Sequence, residues 1–90
     1  MARLRLPSML RTYVGGAKEL DIEGATLRSV LDAVRERSPG LERRLRDESG
    51  QLRRYVNFYI GDDECRTLEE QDTPVGADSE IMIIPSVAGG

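Results

Sequence analysis

The sequence predicts an α+β fold: a mixed sheet of four to five strands with one main helix packed on one face. Three observations predict it. Apolar and polar residues alternate in two early stretches, 2–9 and 18–23, which is the period of half-buried strands. Leu27, Val30, Leu31 and Val34 then fall at the i, i+3, i+4, i+7 spacing of one helical stripe. An apolar run, Ile81-Met82-Ile83-Ile84, reads as a closing strand.

The elements follow in order. In 2–9, Leu4 and Leu6 share one side and Arg3 and Arg5 the other, with Pro7 marking a position whose N–H no sheet partner needs. Gly15-Gly16 supplies a turn with room for positive φ. Leu20 and Ile22 then share a face, so the first two strands read as an antiparallel hairpin with a long loop. Thr26 is an expected N-cap, its hydroxyl accepting from a free amide of the first turn. Asp32 and Arg35 form a favourable i, i+3 pair, and Ser38-Pro39-Gly40 ends the helix. Residues 41–46 suggest a further short helical turn with Leu41 and Leu45 inward, and 47–50 a turn.

A third strand is expected over 52–60, with Val56, Phe58 and Ile60 on one face and Tyr55, Asn57 and Tyr59 on the other. Gly61-Asp62-Asp63 is a turn signal, Glu64-Cys65-Arg66 a short edge strand, and 67–78 a polar, turn-rich connection. The last strand runs over 80–84. If it lies beside the first, the two run parallel, with the helix in the crossover. Ferredoxin-like and other α+β arrangements remain open on this pattern. One helix covers one face of the sheet. The second apolar set, Met82 and Ile84, is therefore covered by a loop or stands as an exposed docking patch. Residues 1–84 form the domain, and 85–90 a flexible arm ending in Gly89-Gly90.

Composition narrows the chemistry. The 90 residues carry a net charge of −3, 32% charged and 39% hydrophobic residues, as suits one globular domain in the cytoplasm, with no membrane partner. There is no histidine and a single cysteine, which removes the commonest general base, an internal disulfide and a cysteine-built metal site. Asp62, Asp63 and Glu64 read as a solvated turn rather than a metal site, and Cys65 as a packing residue, since nothing supplies it with a base. Aromatics at 4% leave no base-stacking platform, so no nucleic-acid partner is expected. Residues 28–54 hold eight arginines against five acids, and 61–84 hold eight acids against Arg66 alone. The acidic block leads into the arm, and reads as a solvated face or as a steering patch for a basic cleft around the arm.

What remains is the terminal carboxylate of Gly90. It is an anion at neutral pH, its free pKa being about 3.3–3.7. It is a poor electrophile until adenylation turns one oxygen into part of a leaving group. Sulfur attack then gives a thiocarboxylate, and amine attack an amide. Gly15-Gly16 lacks the lysine and spacing of a phosphate-cradling loop, so activation belongs to another enzyme. Two glycines without Cβ atoms suit an arm that threads a narrow channel.

These features resemble the MoaD/ThiS family of ubiquitin-like sulfur carriers along essentially the full length. The most specific part is Ile81-Met82-Ile83-Ile84-Pro85-Ser86-Val87-Ala88-Gly89-Gly90, an apolar strand running into a Pro-x-Val-Ala-Gly-Gly tail. Thr26-Leu27 and Tyr55-Val56-Asn57-Phe58-Tyr59-Ile60 with its acidic turn also match. Pro39-Gly40-Leu41 and Gly50-Gln51-Leu52-Arg53-Arg54 look like the actinobacterial branch that includes the cysteine-forming carriers of CysO type. Where the family often has Asp-Gly-Asp before the last strand, this chain has Ala77-Asp78-Ser79-Glu80, which keeps the acidity and lacks the glycine.

The resemblance implies a β-grasp (ubiquitin-like) fold and a carrier that is not itself an enzyme. It implies that Gly90 is adenylated by a MoeB/ThiF-like adenylyltransferase using ATP and Mg, then thiocarboxylated, with no cofactor or metal bound by this chain. Gly89, Ala88 and Val87 would line the activating channel. Ser86, Pro85, Met82, Ile84, Phe58 and Tyr59 complete the expected partner-binding set. Downstream it implies a sulfur-accepting synthase of cysteine synthase, thiazole synthase or thiosugar synthase type, and in the CysO-like case a zinc peptidase. The free carrier is expected to be a monomer. A ubiquitin-like protein modifier and the small subunit of a molybdopterin-synthase-like complex are the alternatives.

Overall fold

The computed structural model describes residues 1–85, and in it the chain forms a five-stranded sheet with two helices on one side. Strands β1 (Ala2–Arg5) and β2 (Glu19–Ile22) pair antiparallel, Leu4 opposite Leu20. Helices α1 (Leu27–Arg37) and α2 (Pro39–Leu45) follow. Then come β3 (Val56–Ile60), the two-residue β4 (Asp63–Glu64) and β5 (Glu80–Pro85). The order across the sheet is β2-β1-β5-β3-β4. The first and last strands lie side by side and parallel, Leu4 beside Ile81, with α1 in the crossover as expected. This mixed sheet grasping one main helix is the β-grasp arrangement, and it excludes a ferredoxin-like sheet.

The core lies between the sheet and the helices. Leu27, Val30, Leu31 and Val34 of α1, with Leu41 and Leu45 of α2, pack on Leu4, Phe58, Ile81 and Ile83. Thr26 caps α1 in a reciprocal box. Its Oγ1 accepts from the Ser29 amide (3.2 Å), and its own amide donates to Ser29 Oγ (2.9 Å). Gly24 lets the incoming chain pass close to the helix, since a Cβ there would lie 2.8 Å from the Val30 amide nitrogen.

Several boundaries differ from the expected ones, each for a local reason. The first strand ends at Arg5 rather than residue 9, because Pro7 leads into a 3-10 helix, Ser8–Val14, that buries Leu10. The third strand begins at Val56 rather than residue 52. Leu52 makes an isolated bridge to Arg46, and a turn closed by the Val56 amide on the Arg53 carbonyl (3.1 Å) intervenes. The edge strand is Asp63–Glu64, after which Cys65–Thr67 coil into a 3-10 turn. Pro85, expected to open the arm, instead closes β5 opposite Val56. Asp32 reaches Arg46 (2.9 Å) rather than the expected Arg35.

Candidate functional site

The alternation of β5 divides the expected site residues between two environments. Ile81 and Ile83 point into the core, and Met82 and Ile84 point to the other face, each 41% exposed. No loop among the described residues buries that outer pair, so Met82 and Ile84 stand exposed. Tyr59 stands beside Met82 across the β3–β5 ladder, half-buried, and Asn57 stands beside Ile84. Phe58 is a correction. It was grouped with the docking residues, but it is 0% exposed, because its position in β3 faces the helices between Val56 and Ile60. It supports the face from behind. Ser86, Val87, Ala88, Gly89 and Gly90 lie outside the described residues.

Along the outer face the character changes from charged to apolar in the direction the chain runs. At the start of β5, Glu80 pairs with Arg5 (3.2 Å) and Arg3 lies 3.5 Å from both Glu19 and Asp21. At its end, Met82, Ile84 and Pro85 share a shallow groove with Leu6, Pro7 and Arg11. The strand thus delivers the chain past an apolar surface toward its terminus.

The acidic block is split between the two ends of the sheet. Gly61, in the left-handed conformation (φ 64), donates its amide to the Glu80 carbonyl (3.2 Å), which brings Asp62 to the start of β5 beside Asp78. Five steps along β5 separate Glu80 from Pro85, roughly 16 Å at about 3.3 Å per step. Glu64 lies nearer the exit, paired with Arg66, whose guanidinium also donates to the Val56 and Arg53 carbonyls. Asp62 and Asp78 thus stand far from the arm although they are close to it in sequence, because a strand carries its two ends apart.

The remaining candidates for internal chemistry are structural. Cys65 is fully buried, and burial, followed by the hydrogen bond to Glu64 (Sγ to Oε2, 3.3 Å) and that carboxylate's charge, raises its thiol pKa to about 12. Such a thiol is not a nucleophile near neutral pH. Among the described residues no cluster of three or more acids and cysteines is placed to hold a metal ion. No helix among them is long and apolar enough to cross a membrane.

A buried polar network went unread in the sequence. Arg46 is almost wholly enclosed, and its guanidinium donates to Glu42 (2.8 Å), Gln71 (3.0 Å) and Asp32 (2.9 Å). Gln71 in turn donates to the Gly50 carbonyl (2.7 Å). The network locks α1, α2 and the 47–51 turn to the polar connection before β5. The i, i+4 spacing of Glu42 and Arg46 was the available signal, while Gln71, 25 residues away from Arg46, gave none.

With this geometry in view, known proteins place the chain. A family model described as the ThiS family matches residues 4–90. The "Sulfur carrier protein CysO" of Mycobacterium tuberculosis is 34% identical over 87 residues, covering 94% of each chain. Among solved structures, a chain of the Amycolatopsis orientalis BexX/CysO complex superposes with a TM-score of 0.91 at 33% identity, covering both chains fully. Mycobacterium tuberculosis CysO gives 0.89 at 30% identity over 97% of this chain and 100% of that one. The small archaeal modifier protein 1 of Methanosarcina acetivorans gives 0.83 at 28% identity over 99% and 95%.

Proposed function

The chain belongs to the ThiS family, and from that premise we propose that it is a sulfur carrier working through the carboxylate of Gly90. The observation that carries the reading is the division of β5. Its inner residues hold it in the core, its outer residues leave an apolar face, and beyond Pro85 stand five small residues ending in Gly89-Gly90. A rigid strand aims a slim terminus that no group of the described domain can activate. Histidine is absent, and the one thiol is buried with its proton held.

The chemistry then divides between chains. A separate ubiquitin-activating-type enzyme, MoeB/ThiF-like, uses ATP and Mg to transfer an adenylyl group to a Gly90 oxygen, releasing pyrophosphate. A sulfide sulfur attacks the acyl carbon, the acyl–phosphate bond breaks and AMP leaves with the electron pair. The product is a thiocarboxylate, a polarizable anion suited to sulfur donation. This chain contributes position. Met82, Ile84 and Tyr59 offer the apolar contact, and Val87, Ala88 and Gly89 are slim enough to line a channel. The acceptor is a synthase making cysteine or another sulfur-containing metabolite such as a thiosugar.

Intact mass spectrometry tests this. After incubation with the cognate activating enzyme, ATP and a sulfide source, the chain gains the mass difference of one oxygen exchanged for sulfur. Deletion of Gly90 abolishes the gain and leaves the fold unchanged. No gain with an active enzyme, or a gain that survives the deletion, would sink the reading. The likeness to a small archaeal modifier protein favours a second reading, in which the activated terminus is passed to amines of other proteins. Lys18 is the only lysine here, so chains of this protein would grow through that one side chain. High-mass conjugates in cells expressing a tagged chain would select it.

A further inference from the structure

The two ends of the sheet differ in charge, and the end where β5 finishes is the positive one. Arg11, Lys18, Arg43, Arg53 and Arg54 ring it. Backbone contacts fix their places. The Lys18 carbonyl accepts from the Leu6 amide just beyond β1 (2.9 Å), and Arg11 Nε donates to the Leu6 carbonyl (3.1 Å). Arg53 and Arg54 stand three and two residues before Val56, the partner of Pro85, in the turn that the Val56 amide closes on the Arg53 carbonyl, and Arg53 Nε donates to the Arg43 carbonyl (2.8 Å). Among the described residues none of these five cations has a carboxylate within ion-pair reach. The neighbouring acids are engaged elsewhere, Glu19 with Arg3, Glu64 with Arg66, and Asp47, which feels the Arg53 charge, with Ser49 and the Gln51 amide. At the opposite end Asp62 and Asp78 flank the start of β5.

We infer that this arginine-rich ring docks on an acidic protein rim around the channel that receives the terminus, and that it steers the encounter end-on. The inference rests on the carrier reading above. A chain with net charge −3 is repelled as a whole by an acidic surface. Its separated charges nonetheless form a dipole along β5, and an acidic rim attracts the tail end while repelling the far end. The orientations that survive point the terminus inward, which raises the association rate more than the final affinity. Arginine suits the role, since its planar guanidinium binds carboxylates in pairs and stays protonated. Nucleic acid is the less favoured anion, because the ring lies on a net-acidic chain with few aromatic residues for stacking.

The test compares charge reversals of equal size. Arg54 and Arg43 are exposed ring members, and Arg37 is an exposed arginine of α1 outside the ring, its guanidinium on the Asp21 carbonyl at the opposite end of the sheet. Adenylation of each variant by the cognate activating enzyme is followed at low and high salt, with circular dichroism to verify folding. Arg54→Glu and Arg43→Glu should each lower kcat/KM about tenfold at low salt with kcat unchanged, the loss fading near 0.5 M salt, as expected for steering through a screened field. Arg54→Lys should retain most of the rate, and Arg37→Glu should stay within about twofold of wild type. Ring variants that match Arg37→Glu, or a loss that appears in kcat and ignores salt, overturn the ring while the carrier reading stands. A wild-type chain that the enzyme never adenylates overturns both. Retention of a mixed-sequence oligonucleotide at physiological salt, lost in Arg54→Glu, overturns the protein rim in favour of nucleic acid.

Discussion

The two faces of β5 are built from nearly the same residues and do different things. Ile81 and Ile83 on one face are sealed against α1 and Phe58, while Met82 and Ile84 on the other stand 41% exposed. Hydropathy does not separate them, since all four are apolar. Topology does, because the helices cover one side and leave the other as a surface. Apolar residues therefore have two settings in this chain, sealed behind the sheet and exposed in front of it. Substitution on the two faces breaks or sharpens that distinction most directly. Phe58→Ala behind the sheet should destabilise the domain by about 3–5 kcal/mol in chemical denaturation, through lost burial and a cavity. Met82→Asp and Ile84→Asp in front should change stability by less than ~1 kcal/mol and yet raise the KM for the activating enzyme. Equal losses of stability on the two faces would erase the distinction.

The helical side holds a second contrast, between an apolar core that packs and a polar one that pairs. Arg46 sits at 4% side-chain exposure against Glu42 at 11%, so removing one leaves the other buried and unpaired. Arg46→Met should therefore cost about 3 kcal/mol, close to the loss from an apolar core truncation. The double change Arg46→Met with Glu42→Leu should recover much of that, because no buried charge is then left alone. Urea midpoints of the wild type and the two variants decide it. A double variant no more stable than the single would show that the network fixes geometry beyond its own charge balance.

The same distinction explains what was legible in the sequence. Periodicity located the sheet, the helix and the inward faces, because burial of alternating or i, i+3, i+4 residues is a local constraint. It made β1 and β5 parallel only on the condition that they lie side by side, and the sheet order meets that condition. It failed where a single residue changes the local geometry, as at Pro7, or where partners are distant, as with Arg46 and Gln71. The tail motif, on which the carrier proposal rests, lies outside the described residues. The surroundings of the tail were not readable. Asp62 and Asp78 lie at the start of β5, while Arg53 in the turn before β3 and Arg11 in the loop after β1 lie near its end. Phe58, expected in the partner-binding set, is instead a core residue, as its place on the Val56–Phe58–Ile60 face of the strand already implied.

Cys65 offers the smallest effect and the most specific one, because it reads the buried side of the sheet by proton affinity. Its folded pKa is raised from an ordinary 9.0 to about 12, first by burial and then by Glu64. The folded state therefore keeps a proton that the unfolded chain releases. The thiol's contribution is fully present below pH 9 and declines as pH rises from there toward 12. Other groups also titrate in that range, so the signal is the difference between wild type and Cys65→Ala. Cys65→Ala should lower stability at pH 7 through lost packing, and the gap between the two proteins should narrow as pH climbs. Under native conditions at pH 8 the wild-type thiol should resist alkylation, reacting only as fast as the domain opens. Rapid alkylation of the folded protein, or a gap that stays constant with pH, would place Cys65 on the accessible side of the sheet and contradict the division between a buried face that folds and an open face that binds.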